Sequence, residues 1–393
     1  MVKFNYYTPT EIIFGKSSEL EVANLINLYG GKKVLIHYGG QSAIKSGLID
    51  TIKEALEKNE IYYKTLGGVV ANPVLSKIEE GIELVKAEKL DFILAVGGGS
   101  VIDSSKAIAV GSLSKDPVWD FVGNNDIEKA LPVGVVLTIA AAGSEMSSGA
   151  VITNDQTNLK RDFGGRALRP RFAILNPTLT YTLPKYQTVC GAADIIMHTV
   201  ERYFTHAPSM EITDKISNVL IQNVIKHTKI ILEDPENYGS RAEIMWSGTL
   251  SHNGLTGARG DGGDWACHQM GHELSAKYNL AHGESLTVLW STWAKYVYKE
   301  NPSRFRKFAV EVMRIEENDK PTSKIILEGI DKLESFFKEI GLKTSLKDLD
   351  FDIKEEDIQD MALKTTHNNT FTPGNIKKLS FDDVVNIFTN SNQ

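Results

Sequence analysis

The sequence is poor in cysteine: only Cys190 and Cys267 occur among its 393 residues. Two thiols are too few for a disulfide framework, so we expect a protein of a reducing compartment, the cytoplasm. Both cysteines flank segments that contain histidine, but Cys267 directly precedes His268 and would point about 100° away from it on a helix. A buried structural thiol is therefore the preferred interpretation of Cys267, and a metal ligand is the alternative.

Long apolar runs and an excess of basic residues are also absent. No stretch approaches the ~18 apolar residues that a membrane-spanning helix requires, and the N-terminal residues contain no apolar core of signal-peptide length. The net charge is −7 and no long basic run occurs, which argues against nucleic acid or an anionic membrane as the main partner. We therefore expect a cytoplasmic protein that acts on a small molecule.

The first half of the chain alternates β-branched runs with amphipathic helical stretches, which is typical of α/β folds. The runs predict strands at residues 11–14, 33–37, 61–66, 91–96, 133–139 and 172–175, with helices at 42–58 and 74–88. Crossover helices of this kind connect parallel strands. After Pro184 the apolar residues follow the helical period, with helices predicted at 241–252, 264–277, 285–298 and 323–340. We predict an α/β domain over residues 1–183 and an all-α domain over residues 184–393.

A glycine-rich turn follows the predicted strand at 91–96. Gly97, Gly98, Gly99 and Ser100 lead into a helical pattern. Glycines in such a turn let backbone amides approach a pyrophosphate, and the helix N-terminus adds a partial positive charge. The spacing differs from the G-x-G-x-x-G of a Rossmann domain, so a plain tight turn is the alternative. The small residues of 140–149 could likewise pack against a flat ring or form an ordinary loop.

The end of the predicted strand at 33–37 indicates the choice of nicotinamide cofactor. NAD-binding domains usually place an acidic residue there to hold the ribose diol. Here Gly39, Gly40 and Ser42 follow the strand, and no acid occurs before Asp50. The glycines leave space and Ser42 can donate a hydrogen bond, so NADP(H) is favoured over NAD(H). The alternative is that the glycines only form a turn.

Histidines and one aspartate form two spaced sets in the helical half. His268 and His272 are four residues apart, on one face of a predicted helix, and His282 follows a short break. Asp194 and His198 have the same spacing on an earlier helix. Asp194, His198 and two of the later imidazoles would form an N₃O set that suits Fe²⁺ or Zn²⁺ and leaves room for an exchangeable ligand. Structural or surface roles are assigned to the remaining histidines: His37, His206, His227, His252 and His367.

Together these motifs resemble the iron-containing (group III) alcohol dehydrogenases, and most closely their NADPH-dependent butanol dehydrogenase and aldehyde reductase branch. The resemblance spans nearly the whole chain, and its most specific parts are the glycine turn with Asp103 and Lys106, the Asp194 and His198 pair, and the later histidine set. It implies a dehydroquinate synthase-like fold and a homodimer. It also implies an NAD(P)-dependent alcohol dehydrogenase acting on short-chain primary alcohols or aldehydes such as butanol and butanal.

The resemblance further implies roles for individual residues. The metal ligands would be Asp194, His198, His268 and His282, while His272 would stay unligated near the substrate, as a proton donor or as part of the pocket wall. The implied cofactor contacts are Gly39, Gly40, Ser42, Gly97, Gly98, Gly99, Ser100, Asp103, Thr138, Ser144, Lys160 and Thr182. Three other functions stay open: a glycerol-dehydrogenase-like polyol oxidoreductase, a dehydroquinate-synthase-like lyase, and a non-catalytic nucleotide-binding protein.

Overall fold

The computed structural model describes residues 3–208, 210–258 and 260–393. Contacts between Cα atoms divide the chain into two compact units, Tyr7–Leu183 and Pro184–Gln393, and the described residues before Tyr7 cluster with the second. The first unit holds a parallel sheet with helices and the second is helical, so the predicted fold class is confirmed. Among the described residues, no helix is both long and apolar enough to cross a membrane.

The unit Tyr7–Leu183 contains eight described strands and five α-helices. The strands are β1 (Glu11–Phe14), β2 (Lys33–Tyr38), β3 (Tyr62–Leu66), β4 (Phe92–Gly97), β5 (Val133–Leu137), β6 (Gly149–Asn154), β7 (Leu159–Gly164) and β8 (Phe172–Leu175). The helices are α1 (Val22–Leu28), α2 (Ser42–Lys45), α3 (Leu48–Lys58), α4 (Leu75–Glu88) and α5 (Gly99–Gly111). Six strands form one sheet in the order β1-β8-β5-β4-β2-β3, with every neighbouring pair parallel.

The order of the strands creates a switch point between β2 and β4. The chain passes from β2 to β3, which lies on one side of β2, and then crosses to β4, which lies on the other side of β2. Tyr38 of β2 pairs with Val96 of β4 near the carboxyl ends of the two strands. In open parallel sheets, ligands bind outside the carboxyl ends of the strands at such a point. Gly39, which follows β2, and Gly98, which follows β4, therefore both lie at the edge of the sheet where a ligand is expected.

The six sheet strands lie where the sequence predicts them, with bounds that differ by at most two residues. The helix predicted over residues 42–58 is divided into α2 and α3, because Gly47 adopts a φ of 77° that helical residues do not. The antiparallel hairpin of β6 and β7 was not predicted. Lys160, Arg161 and Asp162 give β7 a charged sequence that lacks the apolar alternation of a strand.

The second unit contains nine α-helices among its described residues. They are α6 (Lys185–Tyr203), α7 (Glu211–Glu233), α8 (Tyr238–His252), α9 (Ala266–Tyr278), α10 (His282–Val297), α11 (Pro302–Lys307), α12 (Thr322–Glu339), α13 (Glu355–Thr365) and α14 (Phe381–Ser391). Helix α6 packs against α7, α8 and α10, and all of its residues from Thr188 to Tyr203 are buried. Polar side chains on α6 must therefore find partners inside the protein. The break after α9, at Asn279 with φ 53°, is the one predicted before His282.

Candidate active site

Three helices bring four potential metal ligands together. Helix α6 presents Asp194 and His198 one turn apart, α9 presents His268, and His282 is the first residue of α10. Asp194 Oδ1 lies 3.4 Å from His198 Nδ1, 3.9 Å from His268 Nε2 and 3.8 Å from His282 Nε2. One potential ligand atom from each of the four residues lies within 4.8 Å of the others.

These distances fit a shared cation. Ligands about 2.1 Å from a tetrahedral metal lie roughly 3.4 Å from one another, close to the observed separations. His198 Nδ1 and His268 Nε2 are buried, and neither has a hydrogen-bond partner within the described part of the chain. A buried imidazole nitrogen without a hydrogen bond is costly unless something else satisfies it. No sulfur belongs to the set, which suits Fe²⁺ or Zn²⁺.

The surroundings of His198 favour its neutral imidazole. Burial, together with the neighbouring His252 and His268, lowers the pKa of His198 well below its ordinary value. The neutral ring is the form that binds a metal. Burial raises the pKa of Cys267, and it raises that of Cys190 to about 12, so both thiols stay protonated. This agrees with the interpretation of Cys267 as a structural thiol.

His252, which was assigned only a structural or surface role, packs directly against the cluster. Its ring lies edge-on to the ring of His198, with the centroids 4.3 Å apart, and both rings pack against Trp265. The guanidinium of Arg202 covers the same indole at 4.4 Å. The last residue of α8 thus reaches the cluster through tertiary packing, which no spacing in the sequence indicates.

His272 lies next to the cluster but outside the group of four. It is buried on α9, one turn after His268, and its ring stacks on that of His282 with the centroids 5.7 Å apart. The prediction that His272 is an unligated neighbour of the metal stays a prediction. In the structure its ring contacts one member of the group of four, His282.

The glycine turn after β4 is tightly packed. A Cβ at Gly97 would lie 2.5 Å from Val101 Cγ2, one at Gly98 would lie 3.1 Å from Ile139, and one at Gly99 would lie 3.0 Å from Ala142. Larger residues would push this turn away from the loop that follows β5. Ser100 is the second residue of α5, so the backbone amides of the turn and of the first helical residues are available at the helix N-terminus.

Asp103 and Ser144 are predicted cofactor contacts that bond to each other. Ser144 donates to Asp103, whose second carboxylate oxygen accepts from the backbone N–H of Val151. Lys106, buried beneath them, donates to the hydroxyl groups of Ser144 and Ser147 and to three backbone carbonyls. The hydrogen bonds of Asp103 and Lys106 therefore hold the segment of residues 144–151 against α5.

The other predicted cofactor contacts lie in several parts of the first unit and differ in burial. Gly39 and Gly40 follow β2, where a Cβ on Gly40 would meet nothing within 4 Å, and Ser42 begins α2. The backbone N–H of Thr138 donates to the carbonyl of Gly97. Lys160 is buried and donates to Asn72, whereas Thr182 is exposed.

Comparisons with known proteins agree with this arrangement. Residues 9–177 match the family model of iron-containing alcohol dehydrogenases, and residues 188–392 match the model of that family's C-terminal part. The chain belongs to the iron-containing alcohol dehydrogenase family. It is therefore an oxidoreductase that interconverts alcohols and aldehydes, and the predictions of family and enzyme class are confirmed.

Three relatives cover most of the chain. A probable NADH-dependent butanol dehydrogenase of Bacillus subtilis is 40% identical over 98% of this chain and 99% of its own length. The NADPH-dependent aldehyde reductase YqhD of Escherichia coli is 35% identical over 90% of both chains. The crystal structure of NADH-dependent butanol dehydrogenase A from Thermotoga maritima, 39% identical, superposes with a TM-score of 0.95 over 100% of this chain and 99% of that chain. Because these names include both NADH and NADPH, family membership does not decide the cofactor.

Proposed function

We propose that this protein is a metal-dependent alcohol dehydrogenase or aldehyde reductase that uses NADP(H) and acts on short-chain primary alcohols and aldehydes such as butanol and butanal. The main support is the convergence of Asp194 Oδ1 and three imidazole nitrogens within 3.9 Å of it. The names of the butanol dehydrogenase and aldehyde reductase relatives support the substrate class.

Asp194, His198, His268 and His282 are the proposed ligands of one divalent cation, Fe²⁺ or Zn²⁺. When bound, the cation supplies a Lewis acid for the substrate oxygen, and the nicotinamide supplies or accepts the hydride. Burial of Asp194, His198 and His268 limits the access of water to this chemistry. His272 would give a proton from a ring nitrogen to the product oxygen, or else it would only form part of the pocket wall.

The preference for NADP(H) is proposed from the end of β2. Gly39, Gly40 and Ser42 place no carboxylate there, and the next acid, Asp50, is on α3. A 2′-phosphate would therefore meet a hydroxyl group and open space instead of a negative charge. We propose contacts to NADP(H) from the twelve residues that the resemblance indicates, with those of the Gly97–Ser100 turn nearest the pyrophosphate.

The matched variants Gly40→Asp and Gly40→Ala test the cofactor proposal. Neither added Cβ meets a neighbouring atom, so both variants should fold. The aspartate should lower kcat/KM for NADPH about tenfold or more by charge repulsion, while the alanine leaves the NADPH to NADH ratio unchanged. A wild-type enzyme that prefers NADH would contradict the proposal directly.

The reaction is tested with protein that has been stripped of metal and refilled with Fe²⁺ or Zn²⁺. A panel of aldehydes, alcohols and polyols with NADPH or NADH should show the highest kcat/KM for C3 to C5 aldehydes. His268→Ala should abolish metal binding and turnover while NADPH binding, measured by fluorescence, is retained. Higher turnover with glycerol, or full activity in the metal-free protein, would refute the proposal.

We further propose that the protein is a cytoplasmic homodimer with domains over residues 1–183 and 184–393. The resemblance supports the dimer, and the pair of free cysteines supports a reducing compartment. Light scattering after size exclusion tests the dimer, because a single 43.4 kDa species would contradict it. Limited proteolysis that releases fragments ending near residue 183 would support the domain boundary.

A further inference from the structure

We propose that Glu201 is a positioning residue that holds His268 in the tautomer with a free Nε2 lone pair, ready to bind the metal. This inference rests on the metal site proposed above. Glu201 lies three residues after His198 and seven after Asp194, so all three occupy one face of α6.

The carboxylate of Glu201 is fully buried, and it contacts the first turn of α9. Its Oε1 accepts the backbone N–H of Cys267 at 2.7 Å, and its Oε2 accepts the backbone N–H of His268 at 3.2 Å. Oε2 also makes a short contact with His268 Nδ1. A buried carboxylate is tolerated only when such donors surround it.

This contact determines which nitrogen of His268 carries the hydrogen. Both carboxylate oxygens of Glu201 accept from backbone N–H groups, and the contact of Oε2 with Nδ1 is a hydrogen bond of the same kind when Nδ1 carries the hydrogen of the neutral ring. Nε2 then keeps its lone pair and faces the cluster, 3.9 Å from Asp194 Oδ1. The other tautomer would direct an N–H into the space between the proposed ligands and prevent coordination through Nε2.

The same carboxylate also fixes the start of α9. Cys267 and His268 are the second and third residues of the helix, whose N–H groups have no partner within the helix, and Trp265 provides no side-chain cap. Glu201 accepts both N–H groups, and the partial positive charge of the helix N-terminus favours an anion there. One side chain of α6 thus sets both the backbone position and the ring orientation of His268 relative to Asp194 and His198.

The variant Glu201→Gln tests this role with nearly unchanged size. Glutamine offers one acceptor oxygen and an NH₂ group, so it cannot accept from the backbone of α9 and from His268 Nδ1 with two oxygens as glutamate does. Its NH₂ group would favour the Nδ1-acceptor tautomer. Affinity for Zn²⁺, measured by competition with a chromogenic chelator, should fall about 10- to 100-fold.

Asp264→Asn is the matched control. Asp264 is also a buried carboxylate at the start of α9, where it accepts from the backbone N–H groups of Ala266, Asn375 and Ile376. Within the residues that the structure describes, no hydrogen bond or ion pair joins it to an imidazole of the cluster. This variant should lower the melting temperature and leave the affinity for Zn²⁺ at the wild-type value. An equal loss of affinity in both variants would mean that Glu201 acts only through stability.

The tautomer can be measured without any variant. In metal-free wild-type protein labelled with ¹⁵N-histidine, long-range ¹H–¹⁵N correlations at alkaline pH should show His268 with its hydrogen on Nδ1, and Glu201→Gln should shift it towards Nε2. A hydrogen on Nε2 in the wild type, or wild-type Zn²⁺ affinity in Glu201→Gln, would overturn the inference. Failure of the wild type to bind Zn²⁺ would refute the metal site, whereas the spectrum would still decide the tautomer.

Discussion

His37 is a buried histidine whose protonation should limit stability in mild acid. It lies on β2, where Nδ1 donates to the carbonyl of Leu66 and Nε2 accepts from the hydroxyl of Ser104. Burial lowers its pKa to about 4 from the 6.5 of an exposed ring. The unfolded chain therefore binds more protons between these values, so the stabilising contribution is complete above pH 6.5 and is lost as the pH falls towards 4.

We predict that protonation of His37 alone lowers the free energy of unfolding by about 2 kcal/mol as the pH falls from about 7.5 to about 5. The midpoint of urea unfolding, followed by a probe in the sheet-containing unit, should fall over that range in the wild type. His37→Gln should be less stable at pH 7.5 but lose less on acidification. Burial also lowers the pKa of the partly exposed His227, but less than that of the fully buried His37, so His227→Gln should reduce the pH dependence less than His37→Gln does. Parallel curves for the wild type and His37→Gln would contradict the pKa shift.

Lys106 is the second buried titratable residue whose replacement has a clear consequence. Burial lowers its pKa to about 8, although Asp103 opposes the shift, and its ammonium group donates to five oxygens. We predict that Lys106→Met costs about 3–5 kcal/mol, because it leaves Asp103 without its cation and several carbonyls without a donor. Differential scanning calorimetry should show the loss, with Lys53→Met, at a partly exposed lysine, close to wild type. Unchanged melting of Lys106→Met would show that the network is not stabilising.

The sequence predicted the members of the histidine cluster because the ligands repeat at helical spacing within two segments. Asp194 and His198, and then His268 and His272, each share one helical face. The meeting of these segments was inferred from the chemistry of the set and from the resemblance. Glu201 could have been noticed as a third polar residue on the face of α6, whereas His252 could not, because only the packing of α8 brings it to His198.

At the scale of elements, strands that are buried along their whole length were predicted from their continuous apolar sequences. β4 and β5 have continuous apolar sequences and lie inside the sheet. The β6–β7 hairpin was missed because its pairing, from Gly149 with Gly164 to Asn154 with Leu159, depends on a turn and on partners that alternation does not reveal. Its first strand nevertheless supplies the Val151 N–H that Asp103 accepts.

The crossing of α6 and α10 depends on one glycine. A Cβ on Gly283, the second residue of α10, would overlap the carbonyl oxygen of Cys190 and lie 2.8 Å from its carbonyl carbon. Because these are backbone atoms of a buried helix, the start of α10 would have to move, and His282 would move with it. Gly283→Ala should therefore weaken Zn²⁺ binding at least about tenfold and destabilise the protein by about 1–3 kcal/mol.

Gly239→Ala is the control for this helix position. Gly239 is the second residue of α8, and its added Cβ would meet only Asn237 Oδ1 at 3.7 Å. Alanine there should leave the melting temperature unchanged or raise it slightly, since it favours the helix. For both variants, chelator competition measures the affinity for Zn²⁺ and calorimetry measures the melting temperature. Wild-type Zn²⁺ affinity in Gly283→Ala would show that the crossing tolerates a methyl group and does not position His282.

At the scale of the whole molecule, the change from short β-branched runs to helical periodicity near Pro184 predicted the two kinds of structure. The grouping of the described residues before Tyr7 with Pro184–Gln393 has no signal in composition. It reflects packing between distant parts of the chain, such as Tyr6 near Gly254. Cofactor choice is likewise undecided by the overall fold, because relatives named for NADH and for NADPH share it.

Removal of the metal should loosen one unit of the protein selectively. The four proposed ligands come from α6, α9 and α10, all within Pro184–Gln393. A ligand present at 100 times its Kd stabilises the folded state by about 2.7 kcal/mol, and chelation withdraws that contribution. We predict that a chelator lowers the melting temperature and speeds amide hydrogen exchange first in these three helices, while β2, β4 and β5 keep their protection. Mass spectrometry of exchanged peptides measures this directly. The chelator should not change hydrogen exchange in His268→Ala, because this variant does not bind the metal. If the chelator exposed the sheet equally, or if the variant responded to it, the stabilising metal would have to bind elsewhere.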